Sequence, residues 1–257
     1  GYLQDLVVFD DGGGPALYAG GKFEDPGGGL ARWDGSSWST LGSGLNGGVG
    51  ALAGYDDGRG PALYIGGDFT GSEAPKYIGK WDATSWRPLG SGTDGEVRAL
   101  AVYDDGSGET LYAGGTFSTA GGSSTSRIAR WDGSHWSPVG SGLNGDVEVL
   151  TVHDDGSGPA LYAGGRFTTA GGFAANRVAR WNGTSWSTLG SGVNGAVETL
   201  AVYDDGGGPA LYVGGEFTSA GGVLARRIAK WNGSSWAALG SGVGGPVYSL
   251  VVHDDGA

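Results

Sequence analysis

The sequence predicts an all-β chain, a five-bladed β-propeller of four-stranded antiparallel blades. Three observations lead there. One unit recurs along the whole chain at steps of 46 to 50 residues. Each unit holds four short apolar segments bounded by Gly, Asp and Asn. The composition joins 58 Gly to 10 Trp and 11 Tyr, which suits many short strands and tight turns rather than a disordered linker. Strong helix formers are sparse throughout, so almost no helix is expected.

Two phrases carry the repeat. Leu-Tyr-x-Gly-Gly-x-Phe places its Tyr at Tyr18, Tyr64, Tyr112, Tyr162 and Tyr212. Trp-(Asp/Asn)-x-x-x-Trp falls at Trp33/Trp38, Trp81/Trp86, Trp131/Trp136, Trp181/Trp186 and Trp231/Trp236, which accounts for every Trp in the chain. No linker or second composition zone separates the units, so residues 1–257 are expected to form a single propeller domain.

In the fourth unit the strands a to d are expected at Val147–His153, Ala160–Phe167, Arg177–Trp181 and Ser185–Gly190. Asp-Asp-Gly-x-Gly forms the a–b turn. The b–c loop carries Ala-Gly-Gly and a variable stretch, Phe173 to Asn176 in this unit. Asn-Gly or Asp-Gly in the c–d turn predicts a type I′ turn with two residues at positive φ. The d–a loop reads Gly-Ser-Gly-Leu-Asn-Gly or similar. Paired Trp, and the Tyr and Phe of strand b, are expected between blades, with Gly where sheets approach closely.

The net charge of −12, with 15 Lys plus Arg, speaks against nucleic acid or an anionic membrane as partner. No apolar run approaches 18 residues, so no membrane insertion is expected. The absence of Cys removes disulfides, thiolate metal sites and Cys nucleophiles together. The chain also lacks Met, even at its start, and is read as a processed or trimmed product.

Strand b ending in Gly-Gly, an aromatic before the next turn, and a Trp opening strand d resemble the kelch repeat. The wording GGxFTTAGG followed by RIARWNGSSW is closer still to kelch-like repeats of secreted and cell-surface proteins, including a cell-polarity marker group. The resemblance covers all five units and implies a propeller displayed outside the cell. The first unit departs from it with a short b–c loop, and the second has Gly71 to Tyr77 in place of Ala-Gly-Gly. Kelch-type propellers commonly have six or seven blades. Some kelch-like propellers are oxidases with a Tyr-Cys-His copper site, which a chain without Cys does not supply.

Strand a occurs six times for five blades. Both Leu3–Asp11 and Val247–Asp255 carry it, so one chain end holds a surplus strand. It is read as the edge of a longer array, as a strand donated to a neighbouring copy, or as a strand resting on the outside.

Candidate sites are weighed against the repeat. Asp10/Asp11, Asp56/Asp57, Asp104/Asp105, Asp154/Asp155, Asp204/Asp205 and Asp254/Asp255 could offer oxygens to Ca²⁺, but turn chemistry explains them first. The Gly-Gly doublets lack the Lys and helix of a phosphate loop. The Trp pairs could stack on sugars, but their recurrence favours a structural role. His135, His153 and His253 sit in different repeats without metal-ligand spacing. Asn182 and Asn232 open N-glycosylation triplets on exposed turns.

Residues that break the symmetry are the better places to look for function: Glu73 to Tyr77, Asp25 to Gly29, Phe173, Arg226/Arg227, and the position after Gly-Gly (Lys22, Asp68, Thr116, Arg166, Glu216). None forms an acid/base pair. No catalytic residue, cofactor site or metal site is therefore assigned. The expected role is a non-enzymatic secreted or surface-displayed scaffold. Its partner is a second copy, in an oligomer or filament, or an extracellular protein or glycan. The rival is a multivalent carbohydrate-binding propeller.

Overall fold

A computed structural model describes residues 1–23, 28–42, 45–70 and 76–253. The chain is all-β, and the described residues contain no helix. They form five four-stranded antiparallel sheets, each a propeller-like blade in which neighbouring strands follow chain order. By Cα proximity they group into two compact units, residues 1–102 with 110–139 and residues 103–109 with 140–257.

In the first unit, β1 (Tyr2–Asp10), β2 (Pro15–Lys22), β3 (Leu30–Trp33) and β4 (Trp38–Thr40) make sheet 1 in that order. Eight residue pairs join β1 to β2, from Tyr2↔Lys22 to Asp10↔Pro15. Sheet 2 repeats the plan with Val49–Asp56, Pro61–Gly67, Ile78–Trp81 and Trp86–Pro88. In the second unit, the fourth sheet runs Val147–Asp154, Pro159–Gly165, Val178–Trp181 and Trp186–Thr188, each end within two residues of expectation, and sheet 5 runs Val197–Asp204, Pro209–Gly215, Ile228–Trp231 and Trp236–Ala238.

Strand b is buried along nearly its whole length and β1-type strands alternate, as expected of a strand covered on both faces beside one covered unevenly. Tyr18, Tyr64, Tyr112 and Tyr162 are among the largest fully buried side chains, with Phe69, Phe117, Phe167 and Phe217. Successive sheets touch through a Val-on-Gly contact. A Cβ placed on Gly66 would lie 2.5 Å from Val97 Cγ1, and one on Gly164 would lie 2.5 Å from Val197 Cγ1. Only Gly admits so close a neighbour, which is why strand b ends in Gly-Gly.

Two local features differ from the sequence reading, and a third decides what that reading left open. The c–d turn is not type I′. Four residues separate the paired Trp131 and Trp136, and only Gly133 among them has positive φ. The Asp or Asn instead caps the turn: Asp132 Oδ1 accepts from the backbone N–H of Ser134 and His135 at 2.8 and 2.7 Å. Second, the b–c loop forms a short two-stranded ribbon, Thr169–Ala170 with Phe173–Ala174 in the fourth repeat. Third, the strand a place of sheet 1 belongs to the N-terminal copy. The C-terminal copy, Val247 to His253, pairs in no ladder among the described residues and lies on sheet 5 instead. Asp254/Asp255, Asp25 to Gly27 and Glu73 to Pro75 lie outside the described residues.

Candidate functional site

The Asp-Asp-Gly turns are built from two different carboxylates. The first Asp of each pair holds the turn. Asp154 Oδ1 accepts from the N–H groups of Gly156 and Gly158 at 2.9 and 3.0 Å, and Asp10, Asp56, Asp104 and Asp204 repeat the arrangement. The second Asp points inward to the Tyr of strand b and to a cation on strand c. The Tyr162 hydroxyl donates to Asp155 Oδ2 at 2.8 Å, and Arg180 Nε stands 3.5 Å from the same oxygen. Tyr18 with Asp11 and Arg32, and Tyr212 with Asp205 and Lys230, do likewise. In sheet 2 Lys80 Nζ lies 2.5 Å from Asp57 Oδ2, while the Tyr64 hydroxyl lies close without reaching hydrogen-bond geometry.

The titration of these groups follows from the contacts. Burial by itself would raise the Asp155 carboxyl, but hydrogen bonds from Ser157 and Tyr162, with Arg180 beside them, hold it below the usual carboxylate range. Burial and the neighbouring Asp11 push Tyr18 up to about 12. Tyr64 and Tyr162 are pushed up further for the same two reasons. Each triad is thus a neutral Tyr, an ionised Asp and a cation, a structural group with no proton poised near neutrality. No group of three or more His, Asp or Glu fit to hold a metal ion occurs among the described residues.

The Trp pairs are tilted against each other, with ring centroids 5.0 to 5.4 Å apart. They tie one blade to the one before it. The Trp136 indole N–H donates to the Leu89 carbonyl at 2.8 Å, and Trp236 donates to Leu189 at 2.7 Å. Sugar stacking would need open ring faces, and five of these ten rings are buried and four more half-buried. The exception is Trp38 on sheet 1, at 44% exposure.

The three His have separate surroundings. His153 is buried against Tyr162, and burial lowers its pKa. His135 Nδ1 lies 2.9 Å from Ser134 Oγ on a c–d turn. His253 belongs to the C-terminal segment. Asn182 and Asn232 are exposed, and each uses its carbonyl oxygen to cap its own turn.

The positions that break the symmetry include several ion pairs. Lys22 meets Asp68 at 2.5 Å. Arg166 reaches Glu198 at 2.6 Å and Glu148 at 3.1 Å, with Glu216 at 3.9 Å. Phe173 stands out from its ribbon at 72% exposure. Arg177 and Arg227 take positive φ at the start of strand c, and each guanidinium donates to a backbone carbonyl, of Phe167 and Glu216 respectively. These strained residues hold the b–c corner.

Sequence reasoning missed one recurrent device. The Asn or Asp of each d–a loop clamps the b–c corner of the following repeat. Asn144 Oδ1 accepts from the Thr168 N–H at 2.8 Å and its Nδ2 donates to Thr168 Oγ1 at 2.9 Å. Asn46, Asp94 and Asn194 act alike, and the fifth loop has Gly244 there. The signal was present as the recurring Asn-Gly, but that dipeptide reads first as a turn. Beside Asn194 lies an open cleft of about 380 Å³, lined among others by Thr168, Asn176, Arg177, Ser191 and Ser219.

Taken together, the blades and their ties define an all-β protein of repeated, propeller-like four-stranded sheets. No family model and no curated protein matches the chain. Among solved structures it is similar to a GH74 xyloglucanase from Xanthomonas campestris, at 18% identity and a TM-score of 0.53, over 92% of this chain and 37% of that one. It is also similar to the extracellular domain of a hybrid two-component system from B. thetaiotaomicron, at 13% identity and a TM-score of 0.51, over 83% of this chain and 25% of that one. The chain therefore spans well under half of either neighbour, and these likenesses concern the fold.

Proposed function

We propose that the chain is a non-enzymatic, secreted or surface-displayed scaffold of five kelch-like blades that assembles with itself through strand donation from a chain end. The observation that carries this reading is the fate of the repeated side chains. The Asp pairs, Tyr and Trp, which would be the natural chemistry of a site, are engaged in turns, triads and blade-to-blade ties. Among the described residues, what remains outside that framework is a segment that pairs in no ladder, Val247 to His253. The extracellular domain among the structural neighbours accords with display outside the cell. Sedimentation over a range of concentrations tests the assembly, and a mass that stays at 25.7 kDa rejects it.

The second reading is a carbohydrate-binding propeller. It is favoured by the 380 Å³ cleft with its hydroxyl, amide and guanidinium lining. A glycan array decides: binding abolished by Arg177→Ala and Asn176→Ala establishes the lectin reading, and an empty array removes it.

A further inference from the structure

The cleft beside Asn194 differs in charge from the molecule around it. The chain carries a net charge of −12, yet no carboxylate lines this cleft, and Arg177 does. Its volume of about 380 Å³ falls toward the lower end of the about 300 to 1,000 Å³ of small-ligand sites. The repeat does not dictate the missing carboxylate. Two repeats earlier Asp94 holds the place of Asn194 and clamps its corner equally well, accepting from the Ser118 and Thr119 N–H groups at 2.7 and 2.8 Å. Asn194 accepts from the Thr218 and Ser219 N–H groups at 2.8 and 2.9 Å.

Arg177 is an expensive choice for its position. Its φ is 68°, in a region that this chain leaves almost entirely to Gly. Part of the return is the corner itself, where Nη1 donates to the Phe167 carbonyl at 3.1 Å. That engages one of the two terminal nitrogens of the fork. Nε and Nη2 have no partner among the described residues, and Arg177 forms no ion pair there. These two nitrogens share one edge of the guanidinium, spaced for the two oxygens of a carboxylate.

The remaining lining offers hydrogen bonds to a polyol. The Ser191 and Ser219 hydroxyls have no partner among the described residues. Asn176 Nδ2 donates to the Ser191 carbonyl at 2.9 Å, which leaves its Oδ1 to accept. Thr168 Oγ1 accepts from Asn144 Nδ2 at 2.9 Å and keeps its own O–H to give. No aromatic ring lines the cleft. A neutral sugar that relies on stacking finds no ring face here. Neutral hydrogen bonds largely replace those to water, whereas a charge-assisted pair is roughly twice as strong. The cleft therefore favours a sugar that brings its own negative charge.

We propose that this cleft binds a uronic acid residue of an acidic polysaccharide. Arg177 takes the carboxylate edge-on through Nε and Nη2. Asn176 Oδ1 and the hydroxyls of Thr168, Ser191 and Ser219 take the hydroxyls of the sugar ring. This inference rests on the carbohydrate-binding reading and names its ligand class.

The probes are short oligosaccharides of galacturonate, glucuronate and guluronate, each beside its methyl ester, which keeps the sugar and removes the charge. Isothermal calorimetry should show at least one acid binding and its ester binding at least tenfold more weakly. Added NaCl should weaken the acid and leave the ester unchanged. Arg177→Gly removes the guanidinium and suits the positive φ, so the melting temperature should hold while acid binding falls at least tenfold. Ser191→Asp places a carboxylate in the cleft without touching the corner, and should abolish acid binding even if the first variant proves unstable. Unchanged affinity in either folded variant overturns the proposal. Esters that bind as tightly as the acids overturn the uronate and leave the carbohydrate reading standing. Acetate that binds as tightly as the acids overturns the sugar. If no acid binds, the proposal fails, and an empty glycan array removes the carbohydrate reading with it.

Discussion

The triad in sheet 2 sets a test of how burial, rather than contact, determines the worth of an ion pair. Lys80 meets Asp57 at 2.5 Å, and the Asp57 side chain is 1% exposed. Its Oδ1 has no hydrogen-bond partner. Replacing Lys80 by Met keeps much of the aliphatic stem and strands a carboxylate that water does not reach. Removing one partner of such a pair costs about 3 to 5 kcal/mol. With a slope of about 1 to 3 kcal/mol per molar urea, the unfolding midpoint should fall by at least 1 M or so.

The same triad in sheet 5 is the internal control. Lys230 meets Asp205 at 2.6 Å, but the Asp205 side chain is 43% exposed. Lys230→Met should therefore shift the midpoint far less. The pH dependence gives a second check. Burial would raise the Asp57 carboxyl, and Lys80 foremost, with Tyr64 and Arg59, brings it below its usual value. In wild type the folded pKa is depressed, so its contribution is present above pH 4 and fades as pH falls. In Lys80→Met the burial effect prevails and the folded pKa rises, so lowering the pH relieves the defect. Urea titrations at pH 7 and pH 4.5 should show the loss shrinking at the lower pH. Equal losses for the two Lys variants, or a loss that does not depend on pH, would refute the reasoning.

Three further outcomes follow from the contacts. Gly66→Ala should destabilise by about 1 to 3 kcal/mol through the clash with Val97, and Val97→Ala should recover part of it in a double-mutant cycle by thermal melting. Trp136→Phe removes the bond to the Leu89 carbonyl and should cost about 1 to 3 kcal/mol, whereas Trp38→Phe in the single copy should be nearly silent by the same melt. Tyr18 stays neutral to about pH 12 when folded but ionises near the ordinary tyrosine value of about 10 when unfolded. Stability should therefore fall as pH rises between those values, and ultraviolet titration of Tyr18→Phe against wild type should lack one late-ionising phenol.

Much of this architecture could be read from periodicity. Strand order and the buried Tyr and Phe follow from short apolar segments that recur with Gly-Gly, because the spacing is covalent and local. The c–d turn was misread because Asn-Gly carries two meanings. A two-residue turn would need positive φ at both residues, but here four residues lie between the paired Trp and Asn or Asp works through its side chain. The inward role of the second Asp was also hidden, since Asp155 and Arg180 meet only after strands b and c pair. The clamp of Asn144 on Thr168 joins different repeats, and no local pattern announces it. Which copy of strand a sheet 1 holds depends on competition between near-identical segments, and the sequence displays both without ranking them.

The blade-to-blade ties all point the same way along the chain. The Leu89 carbonyl waits for an indole 47 residues later, and Asn144 waits for a corner 24 residues later. A nascent blade leaving the ribosome is thus hydrogen-bonded within its own sheet but not yet secured. It becomes so only when the next repeat has been synthesised. Maturation should advance as a front trailing synthesis by about one repeat, with the newest sheet always the least protected from proteolysis and amide exchange. Direction of translation is in this sense written into the side chains.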